Sequence, residues 1–155
     1  MKTRPLWRCP RCGHRFVTRN MWHSCGRYRL ADHFRGKSPL VRQLFSRFQA
    51  LVRKCGPVTM YAQETRIVFQ ARARFASALP RHHWLDCALW LKRRVELPRF
   101  RRIGSPTPRD HVHHVRLTKL AELDRELAAL VREAYAVGCQ QHLRAPRQTL
   151  NASLS

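Results

Sequence analysis

The chain has 155 residues, 44% of them apolar, and 31 basic against 9 acidic side chains, a formal net charge of +22. That is enough apolar material for one domain with a core of its own plus a module too small to build one. The start, Met1 to Trp7, places Lys2, Arg4 and Pro5 ahead of no apolar run, so neither a signal peptide nor a membrane anchor is expected and the protein is expected in the cytoplasm, away from membranes. So large an excess of charge implies an anionic partner, nucleic acid first, because Lys and Arg near phosphates release condensed counterions. Arg outnumbers Lys 26 to 5. A GC-rich coding sequence would leave the same bias, yet the positive potential exists whatever its origin.

Residues 1–27 carry Lys2, Arg4, Arg8, Arg11, Arg15, Arg19 and Arg27, no acidic group and half of the cysteines. This stretch is expected to form a separate module, followed by a domain over 28–141 and a flexible tail over 142–155. Cys9-Pro10-Arg11-Cys12-Gly13 has the form of a metal knuckle, in which two thiolates grip an ion while the glycine lets backbone amides turn toward sulfur. His23-Ser24-Cys25 supplies the second pair. The pattern C-x2-C-x10-H-x-C offers four ligands, Cys9, Cys12, His23 and Cys25, that suit one tetrahedral, structural zinc ion, with His14 or His33 as alternatives to His23. Phe16 and Trp22 are expected to form a miniature core over the ion. A thioredoxin-like redox pair would need a strand before Cys9 and a long helix after it, which the flanking residues do not offer.

Ser38-Pro39 predicts a helix start, and Leu40, Val41, Leu44, Phe45, Phe48, Leu51 and Val52 form one apolar stripe up to the Gly56-Pro57 stop. From Val58 the apolar period becomes two, predicting antiparallel strands at 58–62, 66–75, 84–93, near 100–103 and over 111–117, with a Gly104 to Pro108 loop between the last two. Leu123 to Val137 returns to helical spacing, with Asp124 as N-cap and Gly138 as stop. The expected fold is α+β: a ribbon, a helix, a sheet of five or six antiparallel strands, and a C-terminal helix.

Several of these segments match a known family: Trp7-Arg8-Cys9-Pro10 through Asn20-Met21-Trp22-His23-Ser24-Cys25, Gly36-Lys37-Ser38-Pro39, Cys55-Gly56-Pro57-Val58, Thr65 to Phe69, Leu89-Trp90-Leu91-Lys92-Arg93, Asp110 to His114 and Ala134-Tyr135. From Leu6 to about Cys139 the chain resembles the bacterial domain-of-unknown-function family fifty-six fifty-five. The resemblance implies an α+β domain behind a short zinc ribbon and carries no biochemical activity with it. Glu64 stands where the family pattern often has a lysine, so a phosphate contact there is not implied.

Alternation along 66–75 predicts Arg66, Arg72 and Arg74 on one sheet face, and along 84–93 it places Trp84, Trp90 and Lys92 outward. Basic groups interleaved with aromatics are the footprint of sheets that bind single strands or RNA. The competing possibility buries Trp84 and Trp90 under the helices. Arg11, Arg15, Arg19, Arg72, Arg74 and Lys92 are therefore the candidate nucleic-acid contacts. A second class of function, an enzyme or small-ligand domain, would use a pocket near Tyr61, Trp90, His111 and His113; a third is an adaptor whose ribbon docks on a protein partner. No Gly-rich phosphate loop, Ser-centred elbow or His-Glu-x-x-His helix occurs.

Overall fold

The computed structural model describes residues 4–144. Strands β1 (Trp7–Arg8) and β2 (Arg15–Phe16) pair antiparallel as a small ribbon, which leads through a 3₁₀ turn at Leu30–Phe34 into α1 (Pro39–Cys55). β3 (Thr59–Ala62), β4 (Ile67–Gln70), β5 (Arg74–Pro80), β6 (Leu85–Leu91), β7 (Phe100–Thr107) and β8 (Asp110–Leu117) follow, then α2 (Arg125–Gly138) and the short α3 (Gln141–Arg144). The six strands form one antiparallel sheet in the order β3-β4-β5-β6-β8-β7. The architecture is the expected α+β arrangement. Of the expected tail, 142–144 belong to α3 and the remainder lies outside the described residues.

Helix α1 starts at Pro39, and Val41, Leu44, Phe45, Phe48 and Val52 are buried along its stripe. Ser38 occupies the N-cap position without capping: its hydroxyl is buried and has no hydrogen-bond partner. Asp124 does cap α2, accepting the Leu127 amide at 2.9 Å. Both helices pack on one face of the sheet, against each other and against β5 and β6. The core between them contains Ile67, Phe69, Phe75, Leu85, Leu89 and Leu117. The opposite face carries the alternate set, Val68 on β4, Ser77 on β5, Ala88 and Trp90 on β6, and His114 and Arg116 on β8.

Two expectations are corrected. The single strand predicted over 66–75 breaks at Ala71–Ala73, where the amides of Arg72 and Ala73 donate to the carbonyl of Gly138 at 3.0 and 2.9 Å. A helix C-terminus leaves carbonyls unpaired, and this hairpin bend supplies donors to one of them. Alternation hid the bend because Phe69 and Phe75 both face the core, while beyond the bend the phase shifts and Ala76 and Ala78 do so too. The loop predicted at Gly104 to Pro108 is instead mostly strand. Pro106 is tolerated because β7 is an edge strand, with irregular pairing between Gly104 and Thr107.

Gly138 is buried, and a Cβ built on it would lie 2.5 Å from the Phe75 ring. Gly138→Ala should therefore cost about 1–3 kcal/mol, as overpacked cores do, read from the urea midpoint. Unchanged stability would mean that the Phe75 ring has room to move aside.

His113 is fully buried on the core face, its Nδ1–H directed at the His111 carbonyl and its Nε2 accepting the Val95 amide at 2.9 Å. Burial is the main cause that lowers its pKa, with His111 and Arg94 adding to it. The unfolded chain takes up this proton near pH 6.5 while the fold resists it, so this contribution to stability is present above about pH 6.5 and is lost as the pH falls below it. Urea unfolding at pH 7.5 and 5.5 should show the loss, and His113→Gln, which keeps an acceptor near Val95, should shrink the difference. An equal pH dependence in the variant would remove His113 as the source.

Candidate metal centre

Cys9 follows β1 and Cys12 lies in the knuckle between β1 and β2. The knuckle closes through the Cys9 amide to the His14 carbonyl and the Gly13 amide to the Cys9 carbonyl, both at 2.8 Å. Gly13 has φ of 75°, a value that suits glycine and lets the chain turn under the first two cysteines. The other pair sits on a second tight bend, with Cys25 at φ 50° and Gly26 at φ 73°. All four ligand atoms, from Cys9, Cys12, His23 and Cys25, lie within 4.8 Å of one another and could hold one metal ion. Cys12 Sγ is 3.2 Å and Cys25 Sγ 3.1 Å from His23 Nε2, and Cys9 Sγ is 3.9 Å from Cys25 Sγ.

The surroundings prepare these groups. His23 Nδ1–H donates to the Met21 carbonyl at 2.7 Å, which fixes the tautomer and leaves Nε2 as the bare nitrogen. The backbone amide of Cys12 is the largest influence on the Cys9 thiol; with that of Arg11 it lowers the pKa to about 6, although burial acts the other way. Burial and the neighbouring Cys9 sulfur push Cys25 upward.

Neither alternative ligand reaches the cluster. His14 turns away, its Nε2 3.0 Å from Gln70 Oε1 and its ring 4.4 Å from both Phe16 and Tyr61. His33 is buried under the 3₁₀ turn, donating to the Gln63 carbonyl at 2.8 Å. The expected miniature core is half right. Phe16 is buried, but Trp22 is 79% exposed, and it is Trp7 that stacks beside Phe16 and meets the His23 ring edge-on.

The ribbon is fastened to the sheet by groups that the spacing of the sequence could not pair. Gln70, buried at the end of β4, receives His14 and donates to the Arg15 carbonyl. Arg74 donates to the Tyr61 hydroxyl and lies over the Phe16 and Tyr61 rings at 5.4 and 5.6 Å. Arg72 bonds Gln140 Oε1 at 3.0 Å and the Arg4 carbonyl. Thus Arg72 and Arg74 serve internal contacts, and Lys92 is ion-paired with Asp110 at 2.6 Å. Arg11, Arg15 and Arg19 are exposed on the ribbon.

Tyr61, Trp90, His111 and His113 do not converge on one pocket. β4 and β5 separate Tyr61 on β3 from Trp90 on β6, and His113 is buried on the opposite face in β8. His111 Nδ1 lies 2.8 Å from Ser105 Oγ, in the β7–β8 hairpin.

A six-stranded antiparallel sheet with two helices on one face, joined to a Cys/His ribbon, defines a small α+β protein with a candidate metal centre. Residues 30–138 match the model of a family described as a domain of unknown function, DUF5655, and the chain belongs to that family. The ligand cluster lies N-terminal to the matched span. No curated protein and no solved structure matches the chain. Among the described residues no helix is long and apolar enough to cross a membrane.

His23→Ala should abolish metal retention, read as metal content per chain after desalting. His14→Ala should keep the metal yet lower stability by about 1–3 kcal/mol, because it leaves the buried Gln70 carbonyl without its partner. Metal loss in the His14 variant would reassign the fourth ligand.

Proposed function

We propose that the cluster holds one structural zinc ion and that the zinc-held ribbon, residues 1–27, binds nucleic acid for the body over 28–141, in the cytoplasm and without catalysis. Zinc with sulfur at about 2.3 Å and nitrogen at about 2.0 Å places tetrahedral sulfur pairs near 3.8 Å and sulfur–nitrogen pairs near 3.5 Å. The spacings of 3.9, 3.2 and 3.1 Å are close to these values. Three thiolates and one imidazole fill a zinc ion's coordination, which suits a structural role and leaves no position for substrate.

The observation that carries the nucleic-acid reading is one exposed indole among uncompensated cations. Trp22 is 79% exposed beside the ligand His23. Arg8, Arg11, Arg15, Arg19, Arg27 and Arg29 are exposed on the same segment, which has no acidic residue before Asp32. Arginines supply phosphate contacts, and an open indole face supplies a stacking platform that tolerates any base. The same Trp22, with Val17 also exposed, would suit the adaptor alternative, in which the ribbon docks on a protein.

Fluorescence anisotropy of the zinc-loaded protein with labelled single-stranded DNA, duplex DNA and RNA decides between them. Binding should weaken steeply between 50 and 200 mM salt, and Trp22→Ala should weaken it about 5- to 100-fold, the range of one lost stacking contact. Absence of binding to all three forms at low salt would overturn the reading.

A further inference from the structure

The sheet face turned away from the helices has a shape and charge that the ribbon does not account for. One cross-strand row runs Val68, Ser77, Ala88, His114 and Arg102 over β4, β5, β6, β8 and β7. The middle of that row is small: Ser77 and Ala88 are both buried and leave a depression. Long cations rise around it, Arg66 from the start of β4, Arg81 from the β5–β6 hairpin, Arg101 and Arg102 from the edge strand, and Arg116 from β8, enclosing a groove of about 350 Å³.

One carboxylate faces these five guanidinium groups. Asp86 binds Arg116 at 2.9 Å, Arg81 at 3.2 Å and the Trp84 indole N–H at 3.3 Å, and the Arg116 guanidinium lies 4.5 Å above the Trp84 ring. Two arginines are thereby held in place with charge to spare, while Arg66, Arg101 and Arg102 have no carboxylate partner among the described residues. Arg102 donates to His114 Nε2 at 3.2 Å, and Arg102 and Arg66 both act to lower the His114 pKa, after burial, which places the two cations about the same ring. Trp90 lies on this face one row beyond Ala88, partly exposed.

We infer that this groove seats the phosphates of a single-stranded nucleic acid, with Arg66, Arg101 and Arg102 as the contacting cations and Trp90 as the ring on which an adjoining base stacks. The inference rests on the nucleic-acid reading above and adds a second contact surface to the ribbon. A depression walled by long side chains, with the Trp90 indole one row beyond it on the same face, suits a flexible strand whose bases can splay, whereas a duplex keeps its bases stacked inside.

The test compares wild type, Arg66→Glu/Arg102→Glu and Trp22→Ala for binding of fluorescein-labelled 20-mer oligo(dT) and a DNA hairpin duplex across a salt series. The double variant should keep its metal content and melting temperature. Its affinity for oligo(dT) should fall at least tenfold, and its salt slope should be smaller by about 1.4, two contacts at ~0.7 each on a single strand. Binding within twofold of wild type would overturn the inference while Trp22→Ala, if impaired, leaves the ribbon reading standing. No binding by wild type overturns both, and tighter binding of the duplex overturns the single-strand assignment. Should the double variant melt early, cross-linking of a 4-thiothymidine oligonucleotide to wild type replaces it: adducts at Trp90 or His114 support the groove, and adducts confined to residues 4–29 overturn it.

Discussion

The amide of Gln70 is buried within a strand whose other members, Ile67, Val68 and Phe69, are apolar, and the groups that satisfy it come from a different part of the chain. A buried amide without partners is costly, so the position of the ribbon on the sheet is set by where His14 and the Arg15 carbonyl must be. The arrangement around the candidate cluster follows from that placement. With His14 committed to Gln70, His23 is left for the cluster; with Phe16 pressed under Arg74 and beside Tyr61, the knuckle has a floor. A segment with too few apolar side chains for a core thus borrows one from the sheet, and the Cys/His cluster that could hold an ion lies on its far side. The family match begins at residue 30, beyond all of these ribbon groups. A body cut at that point would leave Gln70 facing water or an unrelated neighbour.

Much of this was legible in the residues, for identifiable reasons. Ligand chemistry and spacing are local, so Cys9, Cys12, His23 and Cys25 could be named before any fold was known. The stripe of α1 and the Asp124 cap are local too. What was hidden depended on distant partners. The bend at Ala71–Ala73 exists because Gly138 offers a carbonyl there, and nothing in the alternation of 66–75 records a helix end more than sixty residues away. Trp22 looked like core because tryptophan usually is, but Trp7 already fills the space beside Phe16. Alternation puts Arg72 and Arg74 on one sheet face as candidate nucleic-acid contacts, yet the bend and the ribbon turn both toward internal carbonyls and rings. Tyr61, Trp90, His111 and His113 do not form one pocket because β4 and β5 lie between Tyr61 and Trp90 and because His113 faces the core, and neither strand order nor facing is written in the local spacing.

The distribution of charge divides the molecule in a way that the total of +22 conceals. Glu122, Asp124, Glu126 and Glu133 gather around α2, where Arg99 and Arg93 answer them, while α1 beside it carries Arg42, Arg47, Arg53 and Lys54 and no acid. The ribbon has no acid, and the open sheet face has Asp86 alone among its lining arginines. Cations without a local acid thus lie on the ribbon, on α1 and on the open sheet face.

The sheet also has two free edges, and their composition bears on solubility. β3 is four residues long and preceded by Pro57; β7 carries Arg101, Arg102 and Pro106, and its pairing is irregular between Gly104 and Thr107. Shortness, charge, proline and bulges are the means by which strand edges avoid recruiting further strands. A chain that leaves one broad face of its sheet uncovered by helices is exposed to edge-to-edge stacking during folding and storage. Here both rims are blunted, so that face can meet solution without the sheet's edges templating aggregation.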